Sequence, residues 1–130
     1  MYLPRVLEDG GMTFLSIDKN WITAIEPGPY GIQEPNSTSA EPYDSSHAPE
    51  SVVVIPGLAF DTYGHRLGRG RGAYDSFLGK TEMLSASKLG VCWSLQLVKE
   101  IPTESHDIAM DFVCHERGYF GTLSSSQDGR

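Results

Sequence analysis

One stretch decides how the chain is read: Val52-Val53-Val54-Ile55-Pro56-Gly57-Leu58-Ala59-Phe60-Asp61, followed by Arg66-Leu67-Gly68-Arg69-Gly70-Arg71-Gly72-Ala73-Tyr74-Asp75. It opens on β-branched residues with no polar alternation. That pattern predicts a strand buried on both faces, at the centre of an α/β sheet. Pro56-Gly57 ends the strand. The second part alternates glycine with arginine and runs into a segment with an apolar face. The spacing predicts a helix from about Gly72 to Ser85, with Tyr74, Phe77, Leu78 and Leu84 turned inward. Leu89–Trp93 is the next apolar strand candidate, and Asp111–Cys114 a shorter one. Strand, glycine loop, helix, strand is a βαβ unit. It predicts a parallel sheet covered by helices, with a ligand at the carboxyl ends of the strands.

Upstream, Tyr2-Leu3 reads as a strand stopped by Pro4, Glu8-Asp9-Gly10-Gly11 as a turn, and Met12–Ile17 as the strand that completes a hairpin. Asp18 or Asn20 can cap a short turn through Trp21–Ile25, which Pro27 and Pro29 end. Residues 26–50 are rich in Pro, Ser, Glu and Gly without periodicity and read as a long surface loop. Downstream, Leu95–Val98 fits either a strand end or a short helix, and Ile101–Ala109 is a loop. Thr122–Arg130 reads as a flexible tail. The expected organisation is a single domain over 1–121 and a tail over 122–130.

The 130 residues suffice for one domain with a core, and 39% of them are apolar. No apolar run approaches membrane-spanning length; the longest, near Val52–Ile55, suits one strand. The N-terminus has no basic leader or long apolar stretch, so it does not read as a signal peptide. The two cysteines, Cys92 and Cys114, cannot make a disulfide framework and fit reduced thiols in an intracellular protein. A net charge of −7 argues against general nucleic-acid binding. Arg66, Arg69 and Arg71 nevertheless cluster, with Lys80 beyond. An acidic chain with one local basic cluster suits a small anionic ligand, although such a run is as often only a solvated loop.

The chemistry lies in the glycines. Gly68, Gly70 and Gly72 let the backbone curl with its N–H groups pointing inward, and such a nest cradles phosphate oxygens. Arg69 and Arg71 can add charge-assisted hydrogen bonds. Asp75 suits a first helical turn and can also hold a metal that bridges phosphates. The plainer reading is a glycine turn followed by a helix acid. Neither the Walker ending nor the Rossmann spacing is present.

The surroundings are more specific. Val54–Asp61, Gly64, Arg66–Gly70, Gly72, Tyr74-Asp75, Phe77 and Leu78 closely resemble the signature of the 5-formyltetrahydrofolate cyclo-ligases, or methenyltetrahydrofolate synthetases. Leu3-Pro4-Arg5, Met12–Ile17 and Gly28–Pro35 resemble the family's middle region. Ser94-Leu95-Gln96, Ile101-Pro102, His106-Asp107 and Met110-Asp111 resemble its C-terminal region. The resemblance implies a three-layer α/β/α sandwich with a mostly parallel sheet, of the sugar-phosphate isomerase and CoA transferase kind. It implies ATP-dependent conversion of 5-formyltetrahydrofolate to 5,10-methenyltetrahydrofolate with release of ADP and phosphate, in folate one-carbon metabolism. ATP and Mg²⁺ are the implied cofactors, in a cytoplasmic monomer that needs neither nucleic acid nor membrane.

Carried over by position, the resemblance implies that Arg66, Leu67, Gly68, Arg69, Gly70, Arg71, Gly72, Ala73 and Tyr74 bind ATP. Tyr30, Arg69, Gly70, Arg71 and Gly72 would contact the folate, with Arg69 and Arg71 catalytic. Asp75 and Asp111 would be Mg²⁺ ligands. The pattern departs from the family in two places. The family's chains begin earlier, with a basic segment that contacts ATP, so the expected fold is N-terminally truncated, with an open sheet edge and exposed apolar surface. A partner could complete it, and a lost leader would allow a mitochondrial or plastid location. Ala73 also stands where the family has a tyrosine, removing contact worth roughly 1–3 kcal/mol if that ring packs on ligand.

Three other readings are open. The first is a nucleotide- or folate-binding fragment without turnover. The second is a metal site from Cys92, His106, Cys114 and His115, which lacks zinc-type spacing. The third is a hydrolase, for which no Gly-x-Ser-x-Gly elbow exists.

Overall fold

The computed structural model describes residues 1–36, 40–70 and 72–123. Where the sequence reads as one domain over 1–121, the chain groups into two compact units, Met1–Ser45 and Ser46–Arg130.

The first unit is built from two hairpins. Strand β1 (Tyr2–Val6) pairs antiparallel with β2 (Met12–Ser16), and β3 (Ile25–Pro27) with β4 (Gln33–Pro35). The strand expected to stop at Pro4 runs on to Val6. Pro4 faces Phe14. The flanking Met1–Ile17 and Leu7–Gly11 bonds put that pair at a position where neither residue bonds across the ladder, so the missing N–H is not needed. The stretch read as loop over 26–50 therefore holds most of the second hairpin. It also holds a 3₁₀ turn at Ser45–Glu50. Glu34 fastens the unit. It is buried, and its Oε2 accepts the Val6 N–H at 2.8 Å. Arg5 donates to Glu26 Oε1 at 3.0 Å and to the Pro35 carbonyl at 2.9 Å.

The second unit carries the sheet. Its elements are β5 (Val52–Pro56), the short hairpin β6 (Ala59–Phe60) and β7 (Arg66–Leu67), helix α1 (Ala73–Leu78), β8 (Ser87–Val91), β9 (Phe112–His115) and β10 (Gly118–Gly121). The main sheet has the order β10-β9-β8-β5. β5 runs parallel to β8 and β8 parallel to β9, while β10 returns antiparallel from β9. The fold is α/β, and the sheet is mostly parallel, as the strand–loop–helix–strand pattern predicts.

Two expectations are corrected. β5 is an edge strand, and it is not buried on both faces. Val53 and Ile55 are buried, but Val52 is 63% and Val54 56% exposed. Register places Val54, Leu89 and Phe112 in one row on that open face. A β-branched run reports that a strand can be buried twice, but covering elements decide whether it is. The helix expected to reach Ser85 stops at Leu78. Gly79 follows, and Thr81–Met83 forms a separate 3₁₀ turn. Glycine disfavours helix continuation, and the tighter turn buries Met83 in place of Leu84, which stays exposed.

Phe60, Ile55, Leu78, Met83, Met110 and Val113 are the largest fully buried apolar side chains described in this unit. Removing each such side chain from water contributes roughly 1.5–3 kcal/mol. Phe60 reaches the sheet only because position 90 has no side chain: a Cβ on Gly90 would meet the Phe60 ring at 2.5 Å. Gly90→Ala should therefore overpack the core and lower stability by about 1–3 kcal/mol, read from urea melts of the two proteins. Thr122 and Leu123, read as the start of the tail, are tied down through Asp111 and Thr62, and residues 124–130 lie outside the described residues.

Candidate functional site

The glycine loop leaves β7 and enters α1. Gly70 and Gly72 both adopt positive φ, +87° and +70°. An L side chain is strained at both positions, so the alternation in the sequence reflects backbone need. Beside them lies a cavity of about 320 Å³ lined by Gly70, Gly72, Asp75, Ser76 and His106. The helix that follows is only six residues long. Any anion would be held by loop N–H groups and side chains more than by a helix dipole.

Arg66 organises the mouth of the loop. Its side chain is only 9% exposed. Nη1 donates to the Pro56 carbonyl at the end of β5 at 3.1 Å. Nη2 stands 3.7 Å from Asp75 Oδ2, and the guanidinium lies 5.4 Å from the centroid of the Tyr74 ring. Its Nε is buried without a protein partner among the described residues. Gly57 and Gly68 make room for it, since a Cβ on either would come within 2.8 Å and 3.0 Å of the Arg66 side chain. Burial pushes the Tyr74 phenol above its ordinary value, with the Arg66 charge pulling the other way. The Asp75–Arg66 contact is too long for a strong hydrogen bond, so Asp75 can turn to a cation that arrives with phosphate.

The other residues singled out in the sequence are placed as follows. Leu67 closes the short β6–β7 hairpin, pairing with Ala59, and Gly68 backs the Arg66 fork. Arg69 is exposed on the loop. Arg71 lies outside the described residues. Ala73 and Tyr74 open α1. Asp111 does not line the cavity. Its Oδ2 accepts the Lys88 N–H at 2.8 Å, where it joins β8 to the start of β9. Tyr30 belongs to the first unit, half-exposed at the tip of the β3–β4 hairpin, where Gly31 takes φ +74°.

Among the described residues no group of three His, Cys, Asp or Glu side chains is arranged to hold a metal. The Cys92 N–H donates to the Cys114 carbonyl, which makes the two cysteines neighbours across strands. Burial first, then the Glu116 carboxylate and Cys114, push the Cys92 thiol up, and a protonated thiol is a poor metal ligand. The described residues contain no helix long and apolar enough to cross a membrane.

Sequence reasoning missed Asp61. Its carboxylate is fully buried and accepts from the Tyr63 and His65 N–H groups, each at 3.0 Å, and from the Ile101 N–H at 2.9 Å. His65 Nδ1 lies 3.0 Å from the same carboxylate. An aspartate ahead of a Tyr-Gly turn is the available signal, since Asp side chains commonly close turns on backbone N–H groups ahead of them.

The match to known proteins covers this whole arrangement. The family model for 5-formyltetrahydrofolate cyclo-ligases matches residues 1–116. The chain belongs to that family. A Saccharomyces cerevisiae protein named 5-formyltetrahydrofolate cyclo-ligase is 36% identical over 91 residues, 66% of this chain and 41% of that protein. A Mycolicibacterium smegmatis protein of the same name is 32% identical over 123 residues, 85% of this chain and 63% of the other. The solution structure of Aquifex aeolicus 5,10-methenyltetrahydrofolate synthetase superimposes with a TM-score of 0.71 at 28% identity, over 95% of this chain and 59% of that one. The chain thus spans between about two fifths and two thirds of the length of these relatives.

Proposed function

We propose that this chain supplies the nucleotide-phosphate site of an ATP-dependent 5-formyltetrahydrofolate cyclo-ligase. The observation that carries the reading is the cavity that the glycine loop, Asp75 and Ser76 form beside Arg66, within a chain of this family. In the proposed reaction the formyl oxygen attacks the γ-phosphorus of ATP and ADP leaves. N10 of the folate then attacks the activated carbon and loses its proton. The C–O bond to phosphate breaks, which yields 5,10-methenyltetrahydrofolate and inorganic phosphate. Such chemistry asks the protein mainly to align the phosphoryl group with the formyl oxygen and to neutralise charge.

In this reading residues Arg66–Tyr74 hold the ATP phosphates, and Arg69 and Arg71 act on the phosphoryl group as it transfers. Arg69–Gly72 also approach the formyl end of the folate. Asp75 fits a Mg²⁺ ligand of the kind that supplies one carboxylate while phosphate oxygens supply others. Held there by Asp75, the ion would offset phosphate charge. Asp111, whose Oδ2 accepts the Lys88 N–H, could offer a metal its other carboxylate oxygen. The compartment is cytoplasmic, which would keep Cys92 and Cys114 reduced. The chain acts as a monomer unless another polypeptide covers the open face of β5.

A second reading within the same family is a nucleotide- or folate-binding fragment without turnover. One experiment separates the two. Mixing the chain with ATP, Mg²⁺ and 5-formyltetrahydrofolate should generate the methenyl chromophore, and calorimetry should show Mg·ATP binding that Asp75→Asn weakens about tenfold. Binding without chromophore would select the fragment reading. Absence of both would sink the proposal.

A further inference from the structure

Residues 101–110 form an arch whose two feet stand on one turn. At one end the Ile101 N–H donates to Asp61 Oδ2 at 2.9 Å. At the other the Met110 N–H donates to the Gly64 carbonyl at 2.8 Å. Gly64 takes φ +81°, and any Cβ there would collide with the Met110 backbone, so only glycine permits this foot to dock. The same Asp61–Gly64 turn leads through His65 into β7 and the glycine loop. The arch and the loop are therefore held in register by a shared anchor.

The crown of the arch is closed on itself. The Glu104 N–H donates to Asp107 Oδ2 at 2.8 Å, and the Asp107 N–H donates to the Glu104 carbonyl at 3.0 Å. Beyond it, Ile108 reaches the end of α1, within 3.8 Å of where a Cβ on Gly79 would stand. The crown carries His106, which lines the cavity with Gly70, Gly72, Asp75 and Ser76. The imidazole stands between two carboxylates, Nδ1 3.4 Å from Glu104 Oε2 and Nε2 3.5 Å from Asp107 Oδ1. Both distances exceed those of a good hydrogen bond, so either contact is readily exchanged. The two carboxylates differ in freedom. Asp107 is fixed because its other oxygen caps the turn, whereas the Glu104 side chain is 76% exposed and can swing into water.

We propose that His106 is a further ligand-contacting residue. Nδ1 leaves Glu104 and donates to a phosphate oxygen of the nucleotide on the glycine loop, while Asp107 keeps hold of Nε2 and so aims the ring. The inference rests on the nucleotide reading of the loop and extends it: the loop provides one wall of the phosphate site and the arch provides the other. Asp107 acts through His106 as a positioning residue.

Calorimetric titration of inorganic triphosphate with Mg²⁺ into the full chain tests this, for the unaltered protein, His106→Ala and His106→Gln. His106→Ala should weaken binding about tenfold, and His106→Gln, which keeps a side-chain donor, should recover part of the loss. The ring is 67% exposed, so neither change should move the melting transition. Triphosphate should also shift the imidazole resonances of His106 and leave those of His115 in place. Equal affinity for the unaltered chain and His106→Ala, or an unmoved His106 resonance, overturns the role of the arch and leaves the loop reading intact. No binding by the unaltered chain overturns the loop reading, and the arch with it.

Discussion

Asp61→Ala is expected to destabilise the chain by about 3–5 kcal/mol, a large fraction of the 5–15 kcal/mol that holds a typical domain folded. The expectation follows from what the carboxylate touches. Its two oxygens serve the N–H groups of Tyr63, His65 and Ile101 and the His65 ring. Alanine leaves these donors in a site with no exposed surface at the carboxylate, and each buried donor left unpaired costs about 1–3 kcal/mol. The losses overlap, because the turn relaxes once its centre is gone, so the total stays below the sum. Asp61→Asn should fall between the two. It keeps one acceptor oxygen but turns an amide donor toward groups that themselves donate. Urea denaturation followed by fluorescence gives the comparison. A loss under about 1 kcal/mol for alanine would mean that the turn closes without the carboxylate.

What the sequence revealed and what it hid divide along a physical line. The hairpin around Glu8–Gly11, the strand at Val52–Ile55 and the glycine loop are local features. β-branching, turn residues and a need for positive φ are written into adjacent residues. The edge position of β5 was not legible, because whether Val52 and Val54 are covered depends on elements elsewhere. β10 was missed because Tyr119-Phe120 is too short a run between glycines to show a period. The apolar spacing predicts too long a helix because Leu84 continues it past Gly79, whereas the chain breaks there and buries Met83. The arch was hidden for a stronger reason. Its anchors are Asp61 and Gly64, roughly forty residues before the segment they hold. Nothing in Ile101–Met110 itself says where its ends are fastened. The resemblance to the family pointed to Arg66–Asp75, but it did not indicate that His106 would face the same cavity.

Arg66 is where the strand, the loop and the helix are joined, so its removal should cost both stability and binding. If the proposed phosphate site stands, Arg66→Ala is expected to weaken Mg·ATP binding by at least about a hundredfold, since a largely desolvated guanidinium beside it contributes charge in a setting where water screens it little. It should also lower stability by roughly 1–3 kcal/mol through the lost bond to Pro56 and the lost packing on Tyr74. Arg66→Lys is the sharper variant. It keeps the charge but cannot present one nitrogen to the Pro56 carbonyl and another to Asp75 while lying flat against an aromatic ring. The lysine form should therefore keep little of the affinity, at least about tenfold below the unaltered chain. Arg66 is held by its shape and by the bond from Nη1 to Pro56, and its buried Nε has no partner among the described residues. Parallel titrations and urea melts of the two variants decide the matter. Should Arg66→Lys match the unaltered chain within twofold in Mg·ATP affinity, the site would need only a positive charge, and the fork between Pro56 and Asp75 would be no more than a way of packing it.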